Sequence, residues 1–360
     1  MIMIFQHLKI SIVLFALFLG CSPSCFRQHI HTGAPQELSP SHPDYAKTVQ
    51  VKYFGASGFL IRHGESALLL APFFSNHPMY QLLKPTSDIT TINTQMSAVR
   101  LDNVKSILVG HAHYDHLLDI PHIAQEFFIK KNTPLKIFGS LTMKNLISNE
   151  KNPRGIPINN LAPLVGDSVS TKQKIGHFTY VDNTKRIRIR AIESMHAPHF
   201  AFLKFFKGKV TEPVTQMPTW VTQWKEGQTL AYLIDFLDEY QKPIFRIHFQ
   251  DAASNSLVSL PHLDLIKDKA VDLSIMCVAS FNNVNAYPQD ILLALKPKYA
   301  ILAHWEDFFI DYSINLDPKT ARPVTLTDPC DFIEIVKNTA IPNLDWKMPL
   351  PGAWMFYPTK

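Results

Sequence analysis

The sequence is short of cysteine, of net charge, and of any apolar run long enough to cross a bilayer. Each shortage excludes something. Four cysteines in 360 residues are too few for a disulfide framework. A formal net charge of +5, with 18% of residues charged, offers no basic surface of the kind that nucleic acid requires. The densest basic run, "KRIRIR" at 185–190, alternates Arg with Ile at period two and reads as a strand with one wet face. No internal repeat is visible, and no low-complexity tract beyond an N-terminal linker. No G-x-S-x-G elbow or catalytic-cysteine setting exists either; the lone "GASG" at 55–58 is not one. What remains is 46% hydrophobic residues, enough for a sizeable globular core.

The N-terminus reads as separate from the fold. Lys9 precedes "ISIVLFALFLG", too short for a mature membrane span but suited to a signal-peptide core. It ends at Gly20-Cys21. A small residue before Cys resembles a bacterial lipobox, although Phe18 stands where Leu is usual. Residues 1–21 are therefore read as a signal peptide with a lipobox-like end, acylated at Cys21. The protein is expected to be exported and membrane-anchored through that lipid; a secreted or periplasmic soluble protein is the alternative. Residues 22–48, rich in Pro, Ser and His without a period, read as a flexible tether. Cys277 sits in the apolar "LSIMCVAS" and reads as a buried thiol. Whether Cys25 and Cys330 pair is not legible from sequence.

From residue 49 strands dominate. "VQVKYFG", "SGFLIRHG" and "SALLLAPFF" are short, β-branched or aromatic, and separated by Gly or Ser turns. "VKSILVG" at 104–110 follows as a buried strand, then "IPHIAQEFFIKK" at 120–131 as a helix. "LKIFGS" reads as strand and "LTMKNLISNE" as helix. "HFTYVD" with "RIRIRAIESM", and "TLAYLIDFL" with "PIFRIHFQD", read as hairpins. "VDLSIMCVAS", "PQDILLALKP" and "KYAILAHW" give strand, helix, strand. Clustered strands that later alternate with helices imply two mixed sheets between helical layers, in one domain over 49–360. The aromatic stretch from Phe200 to Gly227 fits no element and reads as a loop packed over something.

Within six residues after "SILVG" stands "HAHYDH", which crowds three of the chain's 16 histidines beside a carboxylate. In extended geometry His111 and His113 point to the same side. Imidazole and carboxylate are the ligands that zinc-like ions choose, and Asp115 and His116 follow at once. So short a loop cannot bring four donors to one ion, but two adjacent ions can divide them. Further candidates stand at the ends of later strands: His196 or His199 in "MHAPHF", Asp251 in "HFQDAAS", and His304 in "AILAHWEDF". Single histidines such as His63, His122 and His262 read as surface or core residues, and His248 faces away from Asp251 at odd spacing.

This order, H-x-H-x-D-H, then a distant His, then Asp, then His, each after an apolar strand, resembles the metallo-β-lactamase superfamily. The resemblance covers residue 49 to the end and is nearest the branch with ascorbate-6-phosphate lactonase and N-acyl-phosphatidylethanolamine phospholipase D. It implies an α/β fold, a four-layer αββα sandwich of two mixed sheets flanked by helices. It also implies that His111, His113 and His196 hold one metal, and Asp115, His116 and His304 a second, with Asp251 bridging. The cofactor is then two divalent ions, zinc first, with iron or manganese as alternatives. Two close ions lower the pKa of a bridging water. The expected function is thus metal-dependent hydrolysis of a phosphodiester, lactone or lipid-like small molecule, with Asp115 and Asp251 as catalytic carboxylates. Ala71 departs from the pattern, because the family usually has Asp there as an outer partner of a ligand histidine. Two rival readings are a non-catalytic metal-binding or structural lipoprotein, which Ala71 would suit, and a di-iron redox protein, which lacks its acidic ligand and flavin domain here.

Overall fold

A computed structural model of the chain describes residues 25–131, 135–148, 161–163, 177–199 and 203–359. The signal-peptide and lipobox readings of 1–21 lie outside the described residues. Among those described, no helix is long and apolar enough to cross a membrane.

Fifteen strands are described: β1 (Ile30–His31), β2 (Thr48–Gly55), β3 (Gly58–His63), β4 (Ser66–Leu70), β5 (Val104–Leu108), β6 (Lys136–Gly139), β7 (Leu161–Pro163), β8 (Thr179–Tyr180), β9 (Ile187–Ser194), β10 (Thr229–Leu237), β11 (Pro243–Gln250), β12 (Leu273–Cys277), β13 (Tyr299–Ala303), β14 (Asp345–Pro349) and β15 (Trp354–Pro358). They form two mixed sheets. One runs β15-β2-β3-β4-β5-β6-β7 and the other β1-β14-β13-β12-β11-β10-β9-β8. The hairpins β2/β3, β8/β9 and β10/β11 are antiparallel as the sequence implied. β4/β5 and β12/β13 are parallel, joined by helix-bearing crossovers.

Period-two alternation sorts side chains into three cores. Val51, Tyr53, Ile61 and Leu68 of the first sheet meet Ile189, Tyr232, Ile247 and Ile301 of the second in the central layer. The opposite faces, through Leu60, Leu69 and Ile107, pack under helices 89–97, 120–131 and 141–147, which contribute Ile92, Ile123 and Leu146. Leu233, Met276 and Leu302 pack under helices 289–295 and 329–338, through Ile291 and Phe332. This is the four-layer αββα sandwich. Burying each such Leu or Phe contributes about 1.5–3 kcal/mol, so a wrong register on either sheet would be costly.

The helix starts are chemically marked. Asp88 accepts from the Thr91 N–H, Ser140 from the Met143 N–H, and Asp328 from the Cys330 N–H ahead of a first-turn proline.

Residues 25–47 correct the tether reading of 22–48. Cys25 is disulfide-bonded to Cys330. Phe26 is buried against Trp305, with ring centroids 5.8 Å apart. β1 pairs in parallel with β14, and the Ala34 N–H donates to the Trp354 carbonyl. Glu37 accepts from the buried Arg62 and from Arg100. Each anchor is one or two residues, spaced without period, so a polar, proline-rich composition concealed them.

The basic run of β9 resolves as read. Ile187 and Ile189 are buried, while Arg188 reaches the buried Asp235 at 2.8 Å.

Candidate metal centre

The centre forms where the strands end. β5 runs out at Leu108, and Gly110 follows. A Cβ at position 110 would lie 2.2 Å from the Cβ of Asp251, so only glycine lets the two strand ends approach this closely. The backbone is then tied down. The Leu230 N–H donates to the Gly110 carbonyl, the Ala112 N–H to the Glu226 carbonyl, and the Tyr232 hydroxyl to the Val109 carbonyl. His113, in extended conformation, caps the one-turn helix Tyr114–Leu117, which carries Asp115 and His116. Asp251 follows β11 directly, His196 lies two residues past β9, and His304 comes straight after β13.

All seven residues singled out in the sequence converge. Three groups have donor atoms within 4.8 Å of one another: His111, His113 and His196; His111, His116 and Asp251; Asp115, His116 and His304. Asp251 stands between the outer two groups, with Oδ2 2.8 Å from His111 Nδ1 and Oδ1 3.0 Å from His116 Nδ1. Asp115 Oδ2 lies 3.3 Å from His116 Nε2 and 3.6 Å from His304 Nε2. Three of these side chains keep a buried ring nitrogen with no hydrogen-bond partner: His111 Nε2, His113 Nε2 and His304 Nδ1. Unpartnered buried polar atoms are rare and costly. Aimed together, they fit divalent cations.

The charges agree. Burial lowers the pKa of His111, and of His113 and His196 further, with neighbouring histidines adding to the effect. These rings are neutral and keep lone pairs to donate. Burial opposes charge on His116 too, but Asp251 and Asp115 outweigh it and push its pKa up to about 10. Although burial raises both carboxylates, His116 holds Asp115 and Asp251 well below the usual range. The pair of carboxylates draws positive charge to this spot.

His196 Nδ1 lies 2.6 Å from the Ala197 carbonyl, so it carries the proton and Nε2 faces the centre as an acceptor. His199 stacks on His196 at 4.7 Å and 22°, but its Nδ1 already accepts the Phe205 N–H. It joins no donor group among the described residues.

His304 sits in a left-handed conformation, φ 57°, uncommon for a residue with a Cβ. Its N–H donates to the Tyr53 hydroxyl at 2.8 Å; that oxygen lies 2.5 Å from Glu306, which also takes the Ala56 N–H. Tyr53, Glu306 and Gly110 were not found in the sequence; the glycine immediately before "HAHYDH" was the available signal. Ala71 is buried and offers only a methyl group; the carboxylate gripping its loop is Asp119, which accepts from Phe74 and Ser75. His248 is buried away from the centre, with Nε2 3.0 Å from the Ser259 carbonyl.

The centre opens into a cleft of about 410 Å³ whose walls include Met79, Phe205, Phe206, Phe308 and Phe309. The loop at 203–227 therefore does two things. It buries Trp224 in the core and presents Phe205 and Phe206 to the cleft.

The chain resembles the metallo-β-lactamase superfamily. No family model matches it. A "UPF0173 metal-dependent hydrolase" of Methylacidiphilum infernorum is 34% identical over 77 residues, which are 21% of this chain and 28% of that relative. The chain thus spans under a third of the relative's length. Among solved structures, Igni18, a metallo hydrolase of Ignicoccus hospitalis, is 15% identical with a TM-score of 0.45, covering 87% of this chain and all of that one. The metallo-β-lactamase fold protein YhfI of Bacillus subtilis is 11% identical with a TM-score of 0.47, covering 86% and 100%.

Proposed function

We propose that the chain is a metal-dependent hydrolase working at this centre. The observation that carries the reading is the set of buried, unpartnered donor atoms shared among three overlapping groups. His111, His113 and His196 would hold one cation and Asp115, His116 and His304 a second, with Asp251 between them. Zinc suits this donor set best, with iron or manganese as alternatives. Divalent cations there supply Lewis acidity and an acidified water. The chain's own part is to fix the donors, to exclude bulk water with Phe206, Phe308 and Phe309, and to seat the apolar part of a substrate. Because Nδ1 of His199 is an acceptor, its Nε2 carries the proton and can donate to a substrate oxygen. A phosphodiester, lactone or lipid-like ester fits a polar floor beneath apolar walls. We place the protein outside the cytosol, anchored through Cys21. The Cys25–Cys330 disulfide supports this, since such bonds persist in oxidising compartments. Cys21→Ala should then leave the membrane fraction.

The test measures bound metal and turnover on phosphodiester, lactone and amide panels. Asp251→Ala should lose activity out of proportion to stability. His196→Ala should lower bound metal while His199→Ala leaves it nearly intact. Turnover of no substrate, or an Asp251→Ala protein as active as wild type, would favour the non-catalytic reading. Ala71 is the observation that suits that second reading, and Ala71→Asp should tighten metal binding if the missing carboxylate matters.

A further inference from the structure

One rim of the cleft is apolar and open to solvent. Sixteen large hydrophobic side chains stand exposed among the described residues, and six gather here: Met79, Tyr80, Leu83, Phe205, Trp220 and Leu326. Met79, Phe205 and Leu326 line the cleft itself; Tyr80, Leu83 and Trp220 line a shallow depression beside it. The Val221 N–H donates to the Leu83 carbonyl, and the Glu226 N–H to the Phe206 carbonyl, so turn 78–84 and loop 203–227 hold the rim together. Met79 is 64% exposed and Tyr80 79%. Isolated apolar residues at a surface are ordinary, but a gathered patch at a cleft mouth marks an interface.

The charges around it choose the partner. Lys84 lies over the Trp220 ring at 4.4 Å, and exposed Lys207 and Lys209 follow Phe206. None of the three is ion-paired among the described residues. Asp88 and Glu212 are the exposed acids on the same segments. An aromatic and aliphatic patch with a lysine stacked on its exposed tryptophan has the character of an interfacial surface.

The chain path points the same way. Cys330, four residues after Leu326, is bonded to Cys25 with Cα atoms 6.2 Å apart. Four residues span at most about 14 Å. Cys25 therefore lies within about 20 Å of Leu326 on this rim.

We infer that the rim docks on a lipid bilayer bearing anionic headgroups, so that the cleft opens at the headgroup layer. The inference does not rest on hydrolysis. It can hold for a protein that turns nothing over.

The experiment uses the full-length chain on phosphatidylcholine vesicles, with and without phosphatidylglycerol, that carry acyl-brominated lipid as a quencher. Trp224, Trp305 and Trp354 are buried and Trp346 is half-buried on β14, so the quenching that Trp220→Phe removes is the rim's. Wild type should be quenched on anionic vesicles, and Trp220→Phe should lose that component. Lys84→Glu/Lys207→Glu/Lys209→Glu should lose it as well, while keeping the wild-type melting curve. An N-terminal anchor can hold all three proteins on the vesicle, so binding alone is not the readout. Vesicle-bound wild type without quenching, or equal quenching after Trp220→Phe, overturns the inference. The rim would then face a protein partner.

Discussion

Gly110 shows how a single missing side chain can let a candidate metal centre close up. A methyl group there would occupy the space of the Asp251 side chain, 2.2 Å from its Cβ, and the backbone on both sides is pinned by hydrogen bonds. Rotating the carboxylate cannot relieve a contact at its Cβ, so the two strand ends must separate and carry Asp251 away from the donor groups. Gly110→Ala should therefore lower the melting temperature and lose bound metal and activity. Metal analysis beside a thermal melt checks this, and full metal content in the variant would refute the assignment of Asp251 to the centre. His248 gives a second residue-scale expectation. Burial lowers its pKa from 6.5 to about 4, so the folded ring stays neutral where the unfolded ring takes up a proton. Its contribution to stability is whole above pH 6.5 and is lost as pH falls from there through about 4. His248→Gln, which keeps a donor for the Ser259 carbonyl, should be less acid-sensitive in that window than wild type in denaturant titrations. An unchanged difference between pH 7 and 5 would remove His248 from the account.

Element by element, legibility followed chain distance. "HAHYDH", Asp251 and His304 could be read because donor residues follow apolar strands in an order that chemistry constrains. The hairpins β2/β3 and β10/β11 were legible from alternation. Tyr53 and Glu306, 253 residues apart, meet only through the fold, and nothing local marks either. β14 and β15 were not singled out, because short segments ending in proline lack a clear period. Loop 203–227 was legible as packed, but not as divided between core and cleft. The charge pattern of β9 to β11 had a further use that alternation could not show. Asp235 on β10 stands opposite Arg188 on β9 and Arg246 on β11. Arg246 is fully buried and donates to Asp235 through Nε at 2.6 Å and through a terminal nitrogen at 2.7 Å. Asp235→Ala strands that guanidinium and should cost about 3–5 kcal/mol of unfolding free energy. A denaturation midpoint close to wild type would mean that Arg246 is satisfied by the Leu265 and Lys269 carbonyls alone.

At the scale of the molecule, both chain ends close the sandwich. Cys25 and Cys330 lie 305 residues apart, and Cys277 is buried. In the native, unreduced protein an alkylating reagent should spare all three. Denaturation without reductant should open Cys277 alone, and the linked Cys25–Cys330 peptide should appear in a digest. Labelling of Cys25 or Cys330 before reduction would contradict the staple. β15 has another consequence, for the chain in time. It is the edge partner of β2, pairing Trp354 with Lys52 and Tyr357 with Val49, while β2 is among the first strands made. During synthesis β2 and its hairpin neighbours leave the ribosome with that edge bare. The protective strand arrives only after β3 to β14 have been made. Until then an apolar, hydrogen-bond-hungry edge is available to any other chain. A product released just before Trp354 would carry all seven candidate donors and still be a template for aggregation.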